Sequence, residues 1–260
     1  MCDTCGCGDP HLHPHDHAHD HAHDHTHHHE HGHGHSHDHV HDHAHGHAHP
    51  PARTIEVQKP ALALNQRYAD QNRGWFRAKG LTVFNLLSSP GSGKTTLLEH
   101  TLRAVPGCAA VVGDLQTEND ANRLRATGAP AVQITTGATC HLDAHMVAHA
   151  LPKLNLDGVT RLFIENVGNL VCPASYDLGE DRRVVLLSVT EGEDKPQKYP
   201  VIFHNADLVL ITKCDLAEAV GFDRDKALTI IRQVAPRAQI LEVSARTGQG
   251  MAEWQAWLSS

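Results

Sequence analysis

The sequence predicts an α/β fold, a mainly parallel sheet flanked by helices, preceded by a segment that cannot build a core. Three observations lead there. From residue 53 onward, short apolar runs alternate with amphipathic stretches, the pattern of strand–helix repeats in a parallel sheet. A glycine-rich turn, "SSPGSGKTT" (88–96), joins the first apolar run to a helical stretch. Residues 1–52, by contrast, hold 21 of the 26 histidines, no Lys or Arg, and beyond Met1 only Leu12 and Val40 as large apolar side chains. Such a segment buries too little apolar surface to offset chain entropy, and is expected to be disordered when metal-free. The chain thus divides into an N-terminal segment, 1–52, and a body, 53–260.

Charge follows the same division. The eight acidic residues of 1–52 account for the whole formal charge of −8, and the body carries 22 basic and 22 acidic residues. A neutral body has no nucleic-acid footprint. No apolar run reaches the roughly 18–20 residues that span a bilayer, so no membrane partner is expected. The N-terminus lacks the apolar core of a secretory signal. The seven cysteines, three crowded at the terminus and four scattered, suit free thiols or metal ligands better than a disulfide framework. The expected compartment is the cytoplasm.

Pro50 and Pro51 end the histidine tract, and "ALALNQRYADQNRGWFRAKG" (61–80) reads as a helix stopped by Gly80. "LTVFNLL" (81–87) is the first strand and 94–104 the helix after the glycine turn. "CAAVVG" (108–113) and "AVQIT" (131–135) bracket a helix at 117–127, and 143–151 is the next helix. "RLFIENV" (161–167), "VVLLSVT" (184–190) and "DLVLIT" (207–212) are strands. A helix at 223–234, the strand "QILEV" (239–243) and a helix at 250–258 close the chain. In such sheets the working residues gather at the carboxyl ends of the strands.

"SSPGSGKTT" has the strand–turn–helix setting of a P-loop. Gly91, Ser92 and Gly93 would bring backbone amides to phosphate, and Lys94 would reach the β and γ phosphates. The Thr95 hydroxyl would hold Mg²⁺, with Thr96 next to it. Ser88 stands where the general pattern has Gly. "LVLITKCDL" (209–216) ends a strand in T-K-x-D. Asp215 can accept from both N1–H and the N2 amine of guanine, a donor pair adenine lacks. Lys213 would lie along the base, and Thr212 stands where the usual motif has Asn. "EVSARTGQG" (242–250) brings Ser244 and Ala245, where an amide commonly meets the guanine oxygen. The nucleotide is therefore read as GTP. Carboxylates for Mg²⁺ and water come from Asp114 and Asp120 in "VVGDLQTENDANR" (111–123) and from Glu165 in "FIENVGN" (163–169). Lys94, Asp114, Asp120 and Glu165 are the catalytic candidates. Gly168 gives an E-x-x-G variant of a switch whose amide senses the γ-phosphate.

Thiolates and imidazoles select borderline-soft cations such as nickel and zinc. Cys2, Cys5 and Cys7 in "MCDTCGCG" are close enough to wrap one ion. The histidine tract (11–49) reads as a reservoir of moderate affinity that protons compete for below about pH 6.5. A third set lies in the body. Cys140 and His141 in "TTGATCHLDAH" (135–145) and Cys172 in "ENVGNLVCP" (165–173) follow strands, so they can meet at one edge of the sheet. Cys108 and Cys214 read as structural, and His145 and His149 as ordinary helix residues.

Together, "CDTCGCG", "SSPGSGKTTLL", "GDLQTENDANR", "TTGATCHLD", "IENVGNLVCPASYDLGE" and "SVTEGEDKPQKYP" closely resemble the hydrogenase nickel-incorporation GTPases, the HypB family, over nearly the whole chain. The resemblance implies a P-loop GTPase fold and a slow, metal-coupled GTPase that forms a GTP-dependent homodimer. It also implies delivery of Ni²⁺ to the hydrogenase large subunit with the metallochaperone HypA. By the same resemblance, Cys2, Cys5 and Cys7 match a tight nickel site, and Cys140, His141 and Cys172 match a G-domain site for Ni²⁺ or Zn²⁺. Lys195 matches a stretch near nucleotide and dimer contacts. Two alternatives stay open on sequence: a urease-type nickel-insertion GTPase, which shares His-rich tails and the P-loop, and a nickel storage protein with a secondary GTPase. The "CDTCGCG" head and "IENVGNLVCP" favour the hydrogenase system. GTP turnover by a tail-deleted chain discriminates against mere storage.

Overall fold

The computed structural model describes residues 54–260, with side chains from Pro60 onward. Cys2, Cys5, Cys7 and the histidine tract lie outside the described residues, and so does the expectation of disorder there.

Seven strands form one sheet: β1 (Thr82–Ser88), β2 (Cys108–Asp114), β3 (Ala131–Thr135), β4 (Arg161–Glu165), β5 (Arg182–Ser188), β6 (Leu208–Thr212) and β7 (Gln239–Val243). Their order is β3-β2-β4-β1-β5-β6-β7, and every pairing is parallel. The helices are α1 (Thr54–Ala78), α2 (Lys94–Ala104), α3 (Asn119–Arg125), α4 (Ala144–Ala150), α5 (Lys195–Lys198), α6 (Pro200–His204), α7 (Arg224–Val234) and α8 (Met251–Trp257). None of the described helices is long and apolar enough to cross a membrane.

Alternation along the strands sets the layers, because successive side chains point to opposite faces. Phe84, Leu86, Ala110, Val112, Phe163, Val184, Leu186, Leu208 and Leu210 pack with Leu97 and Leu98 of α2, Leu124 of α3 and Trp254 of α8. Residues one step along these strands face the other way and split into two clusters. Val83, Val111 and Ile164 pack with Phe76 of α1 and Val147 of α4, and Leu87, Val185, Val209 and Ile211 with Phe203 of α6 and Ile231 of α7. Both faces of the central strands are buried, which is why they read as continuous apolar runs.

The seven expected strands all form, five of them within a residue of their expected bounds and β4 and β5 displaced by two. β4 stops at Glu165 rather than 167, since Asn166 turns its side chain onto backbone N–H groups, including its neighbour's, Val167. β5 runs 182–188 rather than 184–190, because Arg182 and Arg183 pair with β1 and Ser188 caps the turn that follows through Thr190 N–H. α1 begins at Thr54, ahead of the expected 61, and carries Pro60 in its second turn; a proline there removes one N–H without ending the helix. The short helices α5 and α6, each with Pro at its start, have no counterpart in the expectations. Four or five residues cannot display a 3.6-residue period.

Candidate nucleotide and metal site

β1 is central, so the turn after it lies between the ends of β4 and β5. Gly91 and Gly93 both have positive φ, 73° and 97°, a region open to glycine but costly for other residues. Gly93 then caps α2. The buried Lys94 ammonium donates to Ser88 Oγ at 2.8 Å, and Ser92 Oγ also donates to Ser88 Oγ. Ser88, the departure from glycine, thus tethers the lysine across the loop. Burial pushes the Lys94 pKa down, opposed by the charges of Glu165, Asp120 and Glu191.

Thr95 Oγ1 donates to Glu165 Oε1 at 2.7 Å. Glu165 is 4 % exposed, and its Oε2 is buried with no hydrogen-bond partner. A hydroxyl and a buried carboxylate oxygen in contact, with a second oxygen unspent, are hard donors suited to Mg²⁺. Burial raises the Glu165 pKa from 4.5 to about 7, against the nearby Lys94 charge and the Thr95 hydrogen bond. Hence the folded protein without nucleotide and metal keeps this proton over a pH range in which the unfolded chain has lost it. Folded chains bind more protons there, so stability should fall as pH rises from 4.5 to about 7, by roughly 3 kcal/mol. Urea unfolding across that range should show this slope in the wild type and its loss in Glu165→Gln. Identical slopes in the two proteins would refute the buried-acid assignment.

Gly168 packs directly on the phosphate loop: a Cβ there would lie 2.8 Å from Pro90 Cα. Asp114, at the end of β2, is engaged by its own turn, accepting from Leu115 N–H and from Thr117 Oγ1. Asp120 faces Arg123 at 3.3 Å and lies within electrostatic reach of both Lys94 and Glu165. Arg123 also donates to Glu99 and, at 3.2 Å, to Thr96 Oγ1.

The other side of the loop is tied to β6. Thr212 Oγ1 donates to the Ser92 carbonyl at 2.7 Å, so threonine supplies the link that joins strand end and phosphate loop. Lys213, the one non-glycine described residue with positive φ, donates from Nζ to the Gly91 carbonyl at 2.7 Å. Asp215 accepts from Ser244 Oγ at 2.6 Å and pairs with Arg246 at 2.7 Å. Those hydrogen bonds, Ser244's first, hold its carboxyl below the usual range. Ala245 follows Ser244 at the end of β7. Lys195 sits over the Tyr199 ring at 5.4 Å.

The soft donors gather at the opposite flank. One ligand atom from each of Cys140, His141 and Cys172 lies within 4.8 Å of the others. The two Sγ atoms are 2.8 Å apart, beyond the roughly 2.05 Å of a disulfide. His141 is 5 % exposed, and its Nδ1 is buried with no hydrogen-bond partner. Desolvation lowers its pKa, which favours the neutral ring a cation needs. Tyr176 lies against the ring, its centroid 3.9 Å away and its plane tilted by 36°. On the same helical flank, His145 and His149 bring their Nε2 atoms within 3.0 Å. Cys108 and Cys214 are different, because burial pushes both thiols up to about 11 and keeps them protonated.

The residues that connect these parts carry little local signal in the sequence. Asn166 Oδ1 accepts from Leu142 N–H, next to His141, and its amide donates toward Asn85. Asn65 and Asn72 of α1 hold both ends of this region, bonding Ala144 and the 177–178 carbonyls. Glu191 projects both carboxylate oxygens into buried space without a partner. Buried amides between strands and glycine-rich loops give no periodic signal; the run "IEN" at a strand end was the only hint.

A parallel sheet with this glycine-rich loop at its centre defines a P-loop nucleotide-binding protein. A family model described as "CobW/HypB/UreG, nucleotide-binding domain" matches residues 82–242. The hydrogenase maturation factor HypB of Azotobacter vinelandii is 54% identical over 211 residues, covering 80% of this chain and 69% of that protein. A crystal structure of HypB from Helicobacter pylori in complex with nickel aligns with a TM-score of 0.73 at 42% identity, over 75% of this chain and 93% of that one. HypB from Archaeoglobus fulgidus aligns with a TM-score of 0.71 at 44% identity, over 76% and 98%. The chain belongs to the HypB family of hydrogenase maturation factors, within the CobW/HypB/UreG class.

Proposed function

We propose that this chain is a GTP-hydrolysing nickel metallochaperone that holds Ni²⁺ and helps insert it into the large subunit of [NiFe] hydrogenase. One observation carries the reading: the phosphate loop lies between Asp215 on one flank and Cys140, His141 and Cys172 on the other. A single sheet thus joins a nucleotide reader to a soft-metal cluster.

In this reading Gly91, Ser92, Gly93, Lys94, Thr95 and Thr96 cradle the phosphates. Asp215, Lys213, Ser244 and Ala245 hold guanine. Thr95 and Glu165 would hold Mg²⁺, whose chemistry is to neutralise charge between the β and γ phosphates. Asp120, and Asp114 once freed from its turn, orient water. Turnover is slow while Asp120 is paired with Arg123, and dimerisation completes the site. The exposed apolar side chains of Leu115 and Val171, beside Asp114 and Cys172, give the homodimer a surface on the metal flank, so GTP and metal would act on one interface. The internal triad takes Ni²⁺ or Zn²⁺. Cys2, Cys5 and Cys7 form a tight site and the histidine tract a reservoir. HypA and the hydrogenase large subunit are the partners, and the cytoplasm, which keeps paired thiols reduced, is the compartment.

The test of the nucleotide assignment is a change of base. Asp215→Asn should weaken GTP at least about ten-fold and favour xanthosine triphosphate, because an amide donates where xanthine accepts; a lost charge-assisted bond is worth about 1.5–3 kcal/mol. Competition binding with GTP, XTP and ATP reads this out. Equal competition by ATP in the wild type would show the base assignment to be wrong.

A further inference from the structure

The carboxylate that would read guanine is already occupied. Arg246 Nε donates to Asp215 Oδ2 at 2.9 Å, and a guanidinium amine of Arg246 reaches the same oxygen at 2.7 Å. Ser244 Oγ donates to the other oxygen, Oδ1, while accepting from Thr247 N–H. A carboxylate has about four acceptor sites, two on each oxygen. Both sites on Oδ2 are therefore taken, and one remains on Oδ1. Guanine presents N1–H and the N2 amine side by side and needs one site on each oxygen. Arg246 presents the same kind of paired N–H fork.

We infer that Arg246 occupies the guanine position of the nucleotide-free protein and is a specificity-determining residue: guanine enters by displacing one arm of its guanidinium from Asp215 Oδ2. Its side chain is 76 % exposed, against 10 % for Asp215, so the arginine is free to swing outward while the carboxylate stays fixed. The consequence is selective. With N1–H taking the open site on Oδ1, the N2 amine is the donor that must compete with Arg246 for Oδ2. Part of what the N2 amine contributes to affinity is thus spent on displacement. Hypoxanthine, which has N1–H but no N2 amine, escapes this cost. An exposed pair of this kind is weak, so the discount amounts to a factor of about two to five, enough to tune exchange without blocking it.

This inference rests on the reading of Asp215 as the base-binding residue, and the experiment separates the two. Affinities of GTP, inosine triphosphate and xanthosine triphosphate are measured by competition against a fluorescent GDP, with Mg²⁺, on the full chain, its Arg246→Ala and Arg246→Lys variants, and Asp215→Asn. With Arg246 removed, the ratio of GTP to ITP affinity should rise about two- to five-fold. Arg246→Lys, a single point donor, should give part of that rise. A ratio that is unchanged, with both nucleotides weakened alike, would mean that Arg246 merely stacks on the base and would overturn the inference. So would a ratio that falls, which would make Arg246 a support for Asp215. If Asp215→Asn leaves the preference for GTP over XTP intact, the base reading itself fails. A switch to XTP with no change on Arg246→Ala overturns the displacement alone.

Discussion

Replacing Lys94 with alanine should lower GTP affinity by about two to four orders of magnitude while leaving the fold intact. Two charge-assisted bonds to phosphate, each worth about 1.5–3 kcal/mol, convert to that range at roughly 1.4 kcal/mol per decade. The fold should survive because Lys94 is held at a cost. Its ammonium is buried, has Ser88 Oγ as a hydrogen-bond partner, and has its pKa depressed by desolvation. Removing it relieves that cost, and Glu165, with a pKa already raised to about 7, can answer the lost cation by keeping its proton. Titration calorimetry with GTP, beside thermal unfolding of the nucleotide-free protein, checks both halves. A variant that binds GTP within ten-fold of wild type would remove Lys94 from the phosphate site. One that melts far below wild type would show that the lysine serves the fold.

Much of this arrangement was legible before any coordinate. The strands were readable because both sides of β1, β2, β5 and β6 are buried, which makes each an unbroken apolar run. The phosphate loop was readable because positive φ at Gly91 and Gly93 leaves a fixed spelling in the sequence. Cys140, His141 and Cys172 were legible as a set because each follows a strand of a parallel sheet, and strand ends converge. The connecting groups were not. Asn166, Asn85 and Asn72 act through buried amide hydrogen bonds to residues far away in sequence, and nothing in local pattern tells a bonded buried Asn from a loop Asn. Arg246 was equally silent: its pairing with Asp215 spans 31 residues and depends on β6 and β7 being neighbours.

Nickel affinity at the internal triad should differ between the GDP and GTP-analogue states by about 5- to 150-fold, the usual span of site-to-site coupling. The path is short and physically continuous. Gly168 lies so close to Pro90 that no side chain fits between them, so a movement of the phosphate loop must move Gly168. Four residues on, Cys172 cannot lag behind, because Asn169 Oδ1 accepts from both Val171 and Cys172 N–H groups and stiffens the link. Cys140 and His141 belong to the connection between β3 and α4, held by Asn65 of α1 at Ala144 and at Leu142 by Asn166, which is itself fixed to β1 through the Leu86 carbonyl. If the loop moves on hydrolysis, one thiolate should travel with it while the other two ligands stay with α1, α4 and the sheet. Linkage then requires that bound metal change nucleotide affinity by the same factor. Residues 53–260 suit the measurement, since they hold the described apolar clusters of both sheet faces and the histidine tract no longer competes for metal. Cys172→Ala should weaken nickel at least about ten-fold and erase the difference between nucleotide states, a lost ligand bond being worth more than one decade. If nickel binds equally well in both states at matched oligomer state, the loop and the triad are only neighbours.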